Sequence, residues 1–133
     1  MRSLFALPLL LSLFAVSPVQ AEDAPAAPSA QYVEFSPSFV GTVGPGPKIQ
    51  YMKVDVALRA NDPAAVPRIE YHDPLIRNTL VSLFGHETLE SVATLEGKEA
   101  LRAKALAAVQ EVLEEEEGKP LVDDLLFTNL VTQ

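Results

Sequence analysis

Strict alternation of apolar and polar side chains predicts the clearest strand of the chain, over residues 48–60. One face carries Met52, Val54, Val56 and Leu58, and the other carries Tyr51, Lys53, Asp55 and Arg59. A period of two is typical of an antiparallel strand with one buried face. Tyr32–Phe35 and Phe39–Val43 predict two shorter strands, ended by Pro37 and by the glycine–proline turn at 44–47. We expect a hairpin across that turn.

Apolar spacings of three and four residues predict two main helices further along the chain. The first begins at Asp73-Pro74 and ends at Gly85. Its apolar positions are Leu75, Ile76, Leu80, Leu83 and Phe84. The second covers Leu95–Glu117, between a Thr94 cap and a Gly118 stop. Its predicted buried stripe consists of Leu101, Ala105, Ala108 and Val112. A shorter helix is predicted after Asp62-Pro63, where Pro67 limits or kinks it, and a single helical turn over Thr88–Val92.

The last segment, Leu121–Val131, predicts a strand with apolar residues on both faces. Leu125, Phe127 and Val131 would share one face, and Leu126 and Leu130 the other. Such a pattern indicates an inner or two-sided strand rather than a free tail. The order β-β-β-α-α-β predicts an α+β fold, in which helices pack on one side of a mostly antiparallel sheet.

The beginning of the chain has the features of a secretory signal. Arg2 precedes a 13-residue apolar run, Leu4–Val16, and small residues lead to Ala21. A membrane-spanning helix needs about 20 apolar residues, so the run is short for a span. We expect cleavage after Ala21 and export to the periplasm; the alternative is a short uncleaved anchor that keeps the protein at the periplasmic face of the inner membrane. Residues 22–30 predict a Pro/Ala-rich tether, and 31–133 the folded domain.

Composition narrows the possible functions. The chain has 133 residues, with 10 Lys and Arg against 18 Asp and Glu, so its net charge is -8. Nucleic-acid binding needs clustered positive charge, and this balance argues against it. The chain has no cysteine, which excludes disulfides, thiolate nucleophiles and thiolate metal sites.

Motifs for catalysis or metal binding are incomplete. The segment 86–90 (HETLE) begins like a zinc-protease motif but lacks its second histidine. Four side chains remain that could converge on a metal: His72, Asp73, His86 and Glu90. The favoured interpretation places His86 in a loop and leaves His72 exposed before a helix cap. No nucleophile elbow surrounds Ser82 or Ser91, and the turn at 44–47 lacks the lysine of a phosphate loop. We therefore expect no enzyme activity, no catalytic residue, no cofactor and no metal.

Charged residues on the predicted helices are the candidates for contacts with a partner. Glu114–Glu117 place four carboxylates at a helix C-terminus, where they oppose the helix dipole. Three interpretations of this cluster stay open: a solvated helix end, a weak cation site, or a docking surface for a basic partner. Arg77 either pairs with Asp73 one turn away or reaches a partner. The partner-interface candidates are thus Arg77, Glu114, Glu115, Glu116 and Glu117. Phe39, Phe84 and Phe127 are interpreted as core residues.

Several segments in combination resemble one known family. They are Tyr32–Val43, Tyr51–Leu58, Asp73–Asn78, Leu95–Arg102 with its Glu-Gly-Lys-Glu, and Val122–Gln133 with its Phe-Thr and terminal Gln. Over residues 31–133 the chain resembles the periplasmic domain of the flagellar basal-body-associated FliL family. The resemblance implies a non-enzymatic protein that scaffolds or modulates the flagellar motor, supports swimming or swarming, and has stator or basal-body proteins as partners.

The resemblance further implies a stomatin/prohibitin-type fold and homo-oligomeric, ring-like assembly. Members of the family usually begin with a full transmembrane helix, whereas this chain begins with the short run Leu4–Val16. A hypothesis from another class remains open beside it. The domain would then be a periplasmic module that binds a small ligand or a metal through His72, His86 and the acidic helix end.

Overall fold

The computed structural model describes residues 31–44 and 47–133. The predicted signal and tether, and the middle of the glycine–proline turn, lie outside the described residues. The elements in chain order are β1 Gln31–Glu34, β2 Phe39–Val43, β3 Gln50–Ala60, α1 Ala65–Tyr71, α2 Asp73–Phe84, α3 Leu95–Glu117 and β4 Val122–Thr132. The α+β class is confirmed, with the short α1 as a separate helix before the two main ones.

β3 is the centre of an antiparallel four-stranded sheet. β1 pairs with residues 57–60 of β3 and β2 pairs with residues 50–54, so β1 and β2 follow one another along the same edge. β4 pairs with residues 52–60 along the opposite edge. The predicted hairpin is confirmed by the register, in which Phe39 faces Val54 and Val43 faces Gln50.

One face of the sheet packs against the helices, and the core lies between them. All four residues of the predicted apolar face of β3 are buried, together with Ile76, Leu80 and Phe84 of α2. On α3 the buried residues are Leu101, Ala105, Val109 and Leu113. The predicted stripe was wrong in its second half, because Ala108 and Val112 are only half-buried. A row of residues four apart is inclined to the helix axis. The buried row therefore runs at an angle to the axis of α3.

β4 departs from the prediction because of a bulge. The register passes from Val56 opposite Phe127 to Asp55 opposite Asn129, so Thr128 is an extra residue on β4. An extra residue moves all later side chains to the opposite face. Leu130 therefore packs against the core, whereas Val131 is exposed. The prediction that Val131 shares a face with Phe127 was wrong for this reason.

The position of β4 in the sheet also corrects the interpretation as an inner strand. Within the described residues β4 pairs with β3 alone, so it is an edge strand. Apolar residues do lie on both faces of this edge strand: Leu125, Phe127 and Leu130 face the core, and Leu126 and Val131 lie on the other face.

Local interactions explain where the helices begin and end. The Thr94 hydroxyl oxygen accepts a hydrogen bond from the Gly97 N–H at 3.0 Å, which confirms the predicted cap of α3. Gly118 has a φ of 75° and ends the helix in the left-handed conformation that glycine adopts readily. Asp62 accepts a hydrogen bond from Ala64 N–H at 2.8 Å, just before α1. Within the segment predicted as a single helical turn, Thr88–Val92, residues 89–92 form turns.

Candidate interaction surfaces

Arg77, the first predicted contact residue, turns towards the strands. Its Nη1 donates a hydrogen bond to the Pro37 carbonyl oxygen at 3.0 Å, and its guanidinium lies 4.6 Å from the centre of the Phe39 ring. Its Nε is 3.7 Å from Asp73 Oδ1, the pairing expected across one helical turn. The side chain is 25% exposed. Arg77 thus links the connection between β1 and β2 to α2. About a quarter of its side-chain surface stays accessible to a partner.

The three predicted core phenylalanines belong to one aromatic cluster. Phe39 lies 5.7 Å from Phe84, and Phe84 lies 6.0 Å from Phe127, measured between ring centres. Phe35 adds a fourth ring at 6.0 Å from Phe39. Tilted and edge-to-face pairs at these distances are favourable, so the cluster joins the strands to α2.

The four glutamates at the end of α3 divide into two groups. Glu114, Glu115 and Glu116 are exposed, and we call these three the acidic end. Glu117 instead turns back towards α1, where its Oε1 accepts a hydrogen bond from Arg68 Nε at 2.7 Å and lies 2.7 Å from His72 Nε2. These hydrogen bonds, from Arg68 first and then His72, hold the pKa of Glu117 below its ordinary value.

His72 is buried, so the interpretation that it is exposed before a cap was wrong. It lies at the junction of α1 and α2, where its backbone N–H donates to the Arg68 carbonyl and its ring stands edge-on to Tyr71. The sequence predicted the helix boundary correctly. It did not show that Glu117, 45 positions away, covers the ring.

The four potential metal ligands do not come together. His72 faces Glu117, Asp73 faces Arg77, and the Nδ1 of His86 lies 2.7 Å from the carbonyl oxygen of Ser82. Within residues 31–44 and 47–133, no three side chains from His, Cys, Asp and Glu are placed to hold a metal ion.

The loop before α3 contains a polar cluster that the sequence analysis missed. Glu87 is buried, and its Oε2 accepts a hydrogen bond from the Ser91 hydroxyl at 2.6 Å. Thr88 and Ser91 each bond the backbone N–H of the other, at 3.0 and 3.1 Å. The spacing Thr-x-x-Ser was a usable signal for such reciprocal bonds. These bonds position the loop against the first turn of α3.

The sheet face opposite the helices is uncovered in the described part of the chain, and we call it the open face. Four large apolar or aromatic side chains are exposed there: Tyr32 at 48%, Val40 at 64%, Tyr51 at 47% and Val131 at 41%. The register places Val40 and Val131 on either side of Lys53. Apolar exposure of this kind, mixed with charge, is common at surfaces that contact other proteins.

These features define an α+β domain with three candidate contact surfaces: the acidic end, the open face and the edge strand β4. Comparison with protein families then identifies the family. The model of the flagellar basal body-associated protein FliL matches residues 32–133, and the chain belongs to that family. Its role is therefore that of a flagellar basal-body-associated protein. A comparison with curated proteins gave no match.

Among the described helices, none combines the length and the apolar character that crossing a membrane requires.

Proposed function

We propose that this protein is a non-enzymatic accessory of the flagellar motor that acts in the periplasm and supports motility by contacting stator or basal-body proteins. The observation that carries this proposal is the match of residues 32–133, which includes almost all of the folded domain, to the FliL family. Self-assembly into a ring of stomatin/prohibitin type belongs to the same proposal.

The exposed charges support a docking role for the acidic end. Glu114, Glu115 and Glu116 point to solvent at the C-terminus of α3, where negative charge is unfavourable for the helix itself. A basic surface on a partner would neutralise them. In this proposal they make direct contact, while Glu117 and Arg77 hold the surrounding elements in position through their internal hydrogen bonds.

Deletion and complementation in the source organism test the proposal. We expect loss of the protein to reduce swarming, and swimming in viscous medium, while flagella are still assembled. The wild-type chain should restore motility, and a chain with Glu114→Lys and Glu115→Lys should restore it poorly. Lysine at a helix C-terminus is favourable for the helix, so the variant should fold normally.

A matched control carries Glu70→Lys and Glu90→Lys, which make the same change in charge at two exposed positions outside the acidic end. It should restore motility like the wild type. Normal motility of the deletion strain would contradict the motor role. Equal failure of both variants would assign the effect to net charge and not to the acidic end.

A further inference from the structure

Strand β2 has a glycine at a position where its pattern calls for a buried side chain. Alternate residues of a strand face the same side. Phe39 and Val43, two places before and after Gly41, are both buried in the core. Gly41 also lies opposite Met52, another core residue. Gly41 therefore faces the core but has no side chain to pack there.

Neither crowding nor backbone conformation requires glycine at this position. A Cβ on residue 41 would meet no atom within 4 Å. Among the described glycines, Gly44 and Gly118 have a positive φ, and Gly41 does not. A side chain at residue 41 would thus have both the space and the backbone conformation that it needs. Its absence leaves a hole at the edge of the sheet.

A cavity of about 200 Å³ lies at this hole, between β2 and the second half of α2, and we call it the Gly41 cavity. Most of its wall is apolar and comes from Phe39, Val43, Met52, Val54, Val81 and Phe84. None of its lining residues is charged, so a charged group would lose its hydration there without gaining a partner. Apolar cavities of roughly 150 Å³ can hold benzene. The Gly41 cavity therefore has room for a leucine or phenylalanine side chain.

The mouth of the cavity has exposed apolar side chains on two sides. Val40 on β2 and Val81 on α2 both line the cavity, and each is more than half exposed. Within the described part of the chain β2 pairs with β3 alone, so no other strand covers this edge. A small molecule inside the cavity would leave both valines in water. A protein segment that inserts one side chain would cover them as well, which is the usual anatomy of a protein contact.

A positive charge without an ion pair lies beside this mouth. Lys53 is the cross-strand neighbour of Val40 on the open face, and such neighbours have Cβ atoms about 4.5–5.5 Å apart. Lys53 is exposed and forms no ion pair with any described residue. Asp55, the next residue on this face of β3, lies opposite Asn129. A carboxylate next to an inserted apolar side chain could therefore pair with Lys53.

We propose that the Gly41 cavity is an anchor site for a partner protein, which inserts one leucine- or phenylalanine-sized side chain beside β2 and places a neighbouring carboxylate on Lys53. The proposal rests on the proposed function, in which the protein acts by contacting other proteins. It is tested on the purified protein, so its failure would leave the motility experiment unaffected.

NMR titration of the full chain with short peptides, acetylated and amidated at their ends, tests the proposal. The peptide GEFEG should shift the amide signals of Gly41, Val43 and Gly85, which line the cavity. GEAEG lacks the large side chain and should bind at least about tenfold more weakly. GKFKG should bind at least about threefold more weakly than GEFEG, because its lysines are repelled by Lys53.

Variants at two positions separate the cavity from the charge. Gly41→Leu fills the cavity from within and should weaken binding of GEFEG by about tenfold or more, while the unfolding midpoint stays equal or rises. Gly41→Ala is the matched control, since it leaves most of the cavity open, and should bind within about twofold of the wild type. Lys53→Glu changes an exposed residue outside the cavity and should reverse the preference, so that GKFKG binds better than GEFEG.

Three results would overturn the proposal. They are equal binding of GEFEG and GEAEG, equal binding of GEFEG by Gly41→Leu and the wild type, and an unchanged charge preference in Lys53→Glu. Toluene binding as tightly as GEFEG would also overturn it, because the site would then be one for small molecules. So would shifts at the cavity that grow with protein concentration in the absence of peptide, because the occupant would then be a second copy.

Discussion

Gly97 and Ser91 pack so closely that a side chain on residue 97 would collide with the Ser91 carbonyl oxygen. Gly97 lies in the first turn of α3, where its N–H is bonded to the Thr94 hydroxyl. The loop that carries Ser91 therefore rests directly on the helix backbone. This close approach gives a physical reason for the glycine in the segment Leu95–Arg102, which belongs to the resemblance to the FliL family.

Gly97→Ala should lower the free energy of unfolding by about 1–3 kcal/mol, the cost of overpacking against a backbone atom that cannot easily move. Chemical denaturation of the variant and the wild type measures this difference in the free energy of unfolding. Gly41→Ala is the matched control, because a Cβ at Gly41 meets no atom within 4 Å. Equal midpoints for the two variants would show that the loop does not rest on α3 as described.

The bulge at Thr128 predicts unequal effects of truncating two neighbouring residues, Leu130 and Val131. Leu130 packs against the core and Val131 is 41% exposed. Leu130→Ala should therefore lower the free energy of unfolding by about 1–2 kcal/mol, which is less than truncation of a fully buried leucine costs. Val131→Ala should change it by no more than about 0.5 kcal/mol. Simple alternation along the strand predicts the reverse order. Thermal or urea unfolding of both variants shows which of the two residues faces the core.

Because of Glu117, the free energy of unfolding should depend on pH in the acid range. Its pKa is lower in the folded protein than the ordinary value of 4.5, because Arg68 and His72 hydrogen-bond to it. The ionised carboxylate therefore stabilises the fold above 4.5, and this stabilisation is lost as the pH falls below 4.5 through the folded pKa.

Glu117→Gln tests this dependence in urea unfolding between about pH 7 and pH 3. The stability difference from the wild type should be largest near neutral pH and shrink below 4.5. Glu116→Gln, at an exposed neighbouring carboxylate, serves as the control and should follow the wild type throughout. A constant difference for Glu117→Gln across the whole range would contradict the linkage.

Arg77→Met should destabilise the fold by only about 1 kcal/mol, although a charged hydrogen bond is removed. The bond to the Pro37 carbonyl and the contact with the Phe39 ring are lost. However, Nη2 of Arg77 is buried without a hydrogen-bond partner in the described structure, and its removal offsets part of that loss. Amide exchange at Phe35, Ser36 and Ser38 should speed up by more than the fall in global stability accounts for. A global loss above about 3 kcal/mol would mean that Arg77 is a central part of the core.

Much of the fold could be predicted because its signals are local. The alternation in β3 depends only on the two-residue period of a strand, and all four predicted inward residues are buried. The limits of α3, Leu95 and Glu117, follow from the Thr94 cap and the Gly118 stop, each of which acts within one helical turn. The resemblance to the FliL family also came from the sequence, and the family match supports it.

The tertiary structure decided what depends on residues far apart in the chain. The bulge at Thr128 arises where β4 pairs with β3, and no pattern within β4 reveals it. Glu117 meets His72 across 45 positions, and Arg77 meets Pro37 across 40. Two side chains of α3, Arg102 and Gln110, bond backbone carbonyls of β4 at Leu125 and Val122. Sequence patterns report the period of each element and its ends, whereas such contacts are set by how the elements pack on one another.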